Sequence, residues 1–239
     1  VRADAVRIRG VKAAPVPTAT AAPTEGNYLK LLKRGDLSRE ALEEILGNRA
    51  ARRFHAVRRA LAGHPRTPRR EALSLVSTLY WRDLAHLSAD VRVHPEVRRA
   101  ADRDLLRRLP DMALAERIDL ARTAGRGTLQ ALRFDSDPRV IAAVLDNRFA
   151  TEPDVVQAGA NPEGNPDALA AIAAHPRWRL RPAVRSALLR NRGLPTGAAL
   201  SLLTVSRDLE LRELLENPSL ARILRACAER VLAERRSGV

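Results

Sequence analysis

Apolar residues recur at helical spacing along most of this chain. Val57, Ala60 and Leu61 form an i, i+3, i+4 stripe that predicts a helix ending near Gly63. After a turn over Pro65 to Pro68, residues Ala72, Leu73, Leu75, Val76 and Leu79 form the next apolar face. Ser38 followed by Glu40 and Ala41 reads as a capped helix start, and Gly47-Asn48 as its stop. The pattern predicts further helices over 82–89 and 95–108, with weaker ones at Met112–Thr123, Thr128–Phe134 and Val140–Asp146. Then come Pro153–Gly159, Pro166–Ala174, Arg181–Arg190, Gly197–Thr204, Leu209–Glu216 and Ser219–Arg235. No sustained period-2 run occurs, so strands are not predicted. Residues 1–24 are rich in Ala, Pro and Thr and carry no apolar period, which predicts a disordered, mildly basic tail.

The helical pattern is written twice. Residues 25–106 match 152–233 without a gap at a shift of 127. The register aligns Ala41-Leu42 with Ala168-Leu169, Ala56-Val57-Arg58 with Ala183-Val184-Arg185, and Ala72-Leu73-Ser74-Leu75 with Ala199-Leu200-Ser201-Leu202. A second echo at a shift of 44 relates Val140, Leu145, Asn147 and Arg148 to Val184, Leu189, Asn191 and Arg192. A period of 42 to 44 residues suits stacked helix pairs. The expected organisation is an all-α solenoid over 25–235, with duplicated halves 25–106 and 152–233 joined by a helical repeat at 107–151.

With those segments in view, the chain resembles the HEAT-like α-solenoids, including the leucine-rich repeat variant group. More narrowly, it is similar to an uncharacterised bacterial family whose units carry an Asn-Pro-x-Thr-Pro turn followed by Leu-rich and Arg-Asp-Leu helices. The residues are His64-Pro65-Arg66-Thr67-Pro68 and Arg82-Asp83-Leu84, extended by Arg92-Val93-His94-Pro95 and Arg98-Arg99-Ala100-Ala101. In the second copy the turn reads Asn191-Arg192-Gly193-Leu194-Pro195. The resemblance implies a right-handed α-solenoid and lends no activity. The iron–sulfur module of some leucine-rich variant proteins needs several cysteines, and this chain has one.

Composition fits a helical stack. Hydrophobic residues make up 45% of the 239, but aromatics only 3%, so Ala and Leu must fill the core. Lys and Arg number 42 against 28 Asp and Glu, a net charge of +14, and the only lysines are Lys12, Lys30 and Lys33. That surplus favours an anionic partner. Cys227 lies on an apolar stretch and reads as a buried small residue. A single cysteine, no apolar run of membrane-spanning length and no apolar secretory region together lead us to expect a cytoplasmic protein without a membrane span.

The positive charge is segregated. Residues 49–70 hold eight arginines and no acid, and a second acid-free run extends from Ala168 to Arg207. Arg58 and Arg185 directly follow core valines, which marks them as structural. The candidate partner- or phosphate-binding residues are Arg52, Arg53, Arg59, Arg69, Arg70, Arg177, Trp178, Arg179, Arg181 and Arg190. If equivalent helices line one side of a solenoid, the two runs would contribute to a single basic strip. The competing reading is that acidic and basic helices alternate to form ion pairs within the fold. Trp178, between two arginines, suits either stacking on a ligand or covering a gap between repeats. His64, His94 and His175 each precede proline and read as turn residues, and no histidine has the spacing of a zinc site. Neither a phosphate-binding glycine loop nor a Gly-x-Ser-x-Gly elbow occurs.

These features rank a non-catalytic scaffold for an acidic protein or peptide first, without a cofactor. Sequence-tolerant binding of DNA or RNA through the same arginines is the alternative. A third option rests on likeness to the HEAT-like alkylpurine DNA glycosylases, which pair an aromatic cleft with a carboxylate; here only Trp81 with Asp83, or Trp178 without a nearby acid, would serve.

Overall fold

The structure is a computed structural model that describes residues 24–34, 37–218 and 220–237. The expected tail therefore lies outside the described residues, apart from Thr24. The described chain is all-helical, with no strand among its residues. Its described residues divide into two compact units, one running up to Tyr80 and including Arg92–Val97, the other made of Trp81–Val91 and the described residues from Arg98 onward.

The first unit contains α1 (Glu25–Leu32), α2 (Arg39–Gly47), α3 (Arg49–Arg53), α4 (His55–Gly63) and α5 (Arg69–Val76). Helix α4 packs on α1, α3 and α5. Ser38 caps α2 as its sequence suggests, its Oγ accepting from the Ala41 N–H at 3.2 Å. Gly47-Asn48 stops α2, and Asn48 immediately starts α3 by accepting from the N–H groups of Ala50 and Ala51. The apolar face of α4 buries Val57 and Leu61 completely.

The second unit holds α6 (Trp81–Ala89), most of α7 (Pro95–Arg108), α8 (Leu114–Thr123), α9 (Arg126–Leu132) and α10 (Pro138–Asp146). It continues with α11 (Glu152–Ala160), α12 (Pro166–Ala174), α13 (Pro182–Arg190), α14 (Thr196–Val205), α15 (Asp208–Leu215) and α16 (Arg222–Arg236). Proline opens α10, α12 and α13, where its missing N–H costs nothing and its φ is already helical. Helices α8, α10, α12, α14 and α16 pack each on the next, and α11, α13 and α15 form a second row. Their shared core is aliphatic apart from Trp178, with Leu145, Leu169, Ile172, Leu188 and Leu202 among its members.

Element boundaries follow the sequence pattern within a few residues. In the first six long helices the starts fall at residues 25, 39, 55, 69, 81 and 95; in α11 to α16 they fall at 152, 166, 182, 196, 208 and 222. Helices α1 and α3 are not foreseen in the sequence. α3 has no helical counterpart at 176–180, where the chain forms turns. Residue 51 is a buried Ala, and residue 178, at the sequence shift of 127, a buried Trp.

Candidate functional site

The arginines separate into those the fold uses and those it leaves at the surface. Arg185 is 3% exposed. Its Nε and Nη2 donate to the Glu210 carboxylate at 2.8 and 2.7 Å, and its Nη1 donates to the Arg179 carbonyl at 2.9 Å. Such a planar, two-point pairing satisfies both charges out of water. Arg58 stands at the matching place in the first unit: Nη1 donates to the carbonyls of Arg52 and Arg53 at 2.9 and 3.2 Å. Both guanidinia thus close the end of the preceding turn or short helix, as their position after a core valine suggests.

The candidate surface residues divide between the units. In the first, Arg52 and Arg53 sit exposed at the end of α3, Arg59 lies exposed on α4, and Arg69 and Arg70 open α5. Arg69 pairs with Glu96 at 3.0 Å, both side chains well exposed, a contact worth at most about 1 kcal/mol. Arg52, Arg53 and Arg70 have no carboxylate within pairing distance among the described residues. In the second unit Arg177, Arg181 and Arg190 are exposed. Arg181 lies 3.9 Å from Glu152, a loose pairing. Arg190 edges a groove between α13 and α15 with a volume of about 250 Å³, whose walls include Pro182, Leu189 and Leu214 and whose rim also carries Glu213.

Two members of the predicted set change role. Trp178 is 1% exposed and offers no face to a ligand. Its Nε1–H donates to the Leu145 carbonyl at 2.9 Å, and the Arg177 guanidinium lies 4.1 Å from its ring centroid. Burial and a satisfied N–H therefore win over the surface reading. Arg179 is only half-exposed; its carbonyl serves Arg185, and its own Nε is buried without a hydrogen-bond partner among the described residues. It is a mixed structural and surface residue.

The histidines before proline act as turn caps. Nδ1 of His64, His94 and His175 accepts the N–H two residues on, from Arg66, Glu96 and Arg177, at 3.2, 3.2 and 3.3 Å. Asn147, Asn161 and Asn191 make the same bond with Oδ1. Burial lowers the His64 pKa from its ordinary value; a bond to the Arg34 backbone opposes this, and the nearby Arg66 charge adds to it. Among the described residues no group of three or more His, Cys, Asp or Glu could hold a metal ion, and no helix is long and apolar enough to cross a membrane. Trp81 donates its Nε1–H to Glu116 at 3.1 Å and has the Arg82 guanidinium 4.9 Å from its ring centroid, while Asp83 is buried.

One surface feature has no counterpart in the sequence pattern. Tyr80, 66% exposed, stacks on His55 with ring centroids 4.1 Å apart and planes at 28°. Tyr80 falls just past the apolar face of α5, and only the fold brings it to α4. Comparison with protein-family models, curated proteins and solved structures found no match to this chain.

Proposed function

We propose that this chain is a non-catalytic repeat scaffold that holds a polyanion through exposed arginines. The scaffold is a right-handed, HEAT-like α-solenoid of stacked helix pairs, produced by tandem duplication. The repeated helix starts, the two rows of α8 to α16 and the matched roles of Arg58 and Arg185 support that reading. One observation carries the binding role. The fold ties down Arg58 and Arg185, yet Arg52, Arg53, Arg70, Arg177 and Arg190 stay exposed without a carboxylate partner among the described residues. Unpaired cations of one sign, gathered on segments lacking acids, repel each other and are relieved by a bound anion.

The exposed arginines by themselves suit an acidic protein or peptide as well as a nucleic acid. Single-stranded nucleic acid is the reading favoured by the Tyr80–His55 stack. The test is reversal to Glu of Arg52 and Arg53 in one unit, of Arg177 and Arg190 in the other, and of all four. Binding to polyglutamate and to a single-stranded oligonucleotide is then measured across salt concentrations. Each reversed pair is expected to weaken binding, and the log–log salt slope on a single strand should fall by about 0.7 for each lost contact. Circular dichroism and melting temperature should barely change. Binding that survives all four reversals would end the proposal.

A further inference from the structure

The exposed ring of Tyr80 points to a more specific ligand. Among the described residues of the first unit, Tyr28 is buried and Phe54 half-buried, whereas Tyr80 keeps 66% of its surface in solvent. One face of its ring stacks on His55, and the residue is nevertheless this exposed. A lone exposed aromatic side chain would be unremarkable. This one is braced. The His55 ring lies 3.2 Å from Nη2 of Arg58, and Arg58 is fixed by the carbonyls of Arg52 and Arg53. The flat surface is therefore tied through the His55 and Arg58 side chains to the backbone that carries two exposed arginines. Arg59 follows His55 by one helical turn on α4, which puts it on the same side of that helix. No acid occurs from residue 49 to residue 70.

A rigid aromatic face beside several cations fits a ligand that carries both flat rings and regularly spaced negative charge. A duplex keeps its base faces stacked on one another, and an acidic peptide supplies carboxylates without a ring at each position. We infer that Tyr80 is a stacking platform for an unpaired base of single-stranded nucleic acid, with Arg52 and Arg53 receiving the adjoining phosphates. The inference rests on the polyanion-binding reading above and adds the chemical class of the ligand. The second unit supplies an internal contrast. The residues at the matching sequence positions are Pro182 and Arg207, so its arginines meet phosphates without a platform.

Fluorescence anisotropy with three labelled probes separates the possibilities: short oligothymidylate, an abasic strand of the same length, and polyglutamate. The abasic strand keeps every phosphate and removes every base. Stacking on a protein ring is worth enough that the wild type should bind oligothymidylate about tenfold more tightly than the abasic strand. Tyr80→Ala should abolish that preference while leaving abasic binding nearly unchanged, and Tyr80→Trp should retain it. Equal binding of both strands by the wild type, or an unchanged preference in Tyr80→Ala, would overturn the platform and leave the arginine reading standing. Binding of polyglutamate alone would also overturn it, in favour of an acidic protein partner. Failure to bind any of the three would remove both proposals.

Discussion

Replacing Arg185 by Ala would leave the Glu210 carboxylate beside α13 without its counter-charge and open the Arg179 carbonyl. The expected cost is about 3–5 kcal/mol. Arg190→Ala, five residues later on the same helix, removes an exposed guanidinium and should stay within about 0.5 kcal/mol. Urea unfolding of both variants checks the contrast, and similar losses would contradict the division of arginines drawn above. Histidine 64 gives a second test at this scale. Its pKa is lowered in the fold, so the unfolded chain binds the proton more readily. Its stabilising contribution is complete above pH 6.5 and is lost as pH falls through the lowered folded value. His64→Asn, which copies Asn191 of the matching turn, should keep the turn bond and flatten that part of the pH profile. Melting temperatures at neutral and mildly acidic pH would show it, and an unaltered profile would count against the buried ring as its source. Arg58 and Arg185 were legible in the sequence because each follows a core valine. Trp178 was not: a Trp between arginines reads alike whether its ring points in or out, and the deciding acceptor, the Leu145 carbonyl, lies 33 residues earlier.

At the scale of the element, α9 shows what local patterns miss. It starts at Arg126, two residues before the apolar stripe suggests, because its cap comes from α7. The Asp102 carboxylate accepts from the N–H and the hydroxyl of Thr128 at 3.1 and 2.7 Å. Burial raises the Asp102 pKa, against the pull of those Thr128 bonds and of Ser88 and Arg98. The same close approach explains Gly127: a Cβ there would fall 2.4 Å from Asp102 Oδ2. Gly127→Ala should therefore destabilise by about 1–3 kcal/mol, despite the better helix propensity of Ala. Gly197 on α14 has open space where its Cβ would stand, so Gly197→Ala should stabilise by about 0.5–1 kcal/mol. Thermal or urea melts of the two variants should move in opposite directions; a shared direction would mean that Asp102 yields easily. Caps supplied within a helix, such as Ser38 on α2, could be read in advance. A cap reaching across from another helix could not.

For the whole molecule, the all-helical class was legible because apolar residues keep helical spacing along most of the chain. Leu42 and Leu169, Val57 and Val184, and Leu75 and Leu202 are buried pairs at the shift of the sequence matches. Tyr80 escaped notice because its value depends on a neighbour 25 residues away. In the second unit α12 packs on both α10 and α14, and α13 on both α11 and α15, whereas among the described residues the main contacts of α16 are with α14 and α15. Stability in such rows builds from neighbouring interfaces. Amide hydrogen exchange should therefore be slowest in α12 and α13 and fastest in α16. Uniform protection across α10 to α16 would argue for a single cooperative block instead.

The aromatic residues are also unevenly shared: Trp81 and Trp178 both belong to the second unit, and Tyr28 and Tyr80 to the first. Indole emission excited at long wavelength therefore watches one half of the protein and is blind to the other. A denaturation curve recorded that way follows the Trp178 slot as its carbonyl bond and guanidinium lid come apart. Set against a far-ultraviolet curve, which averages every helix, it would separate the melting of the second unit from that of the first without a single added label.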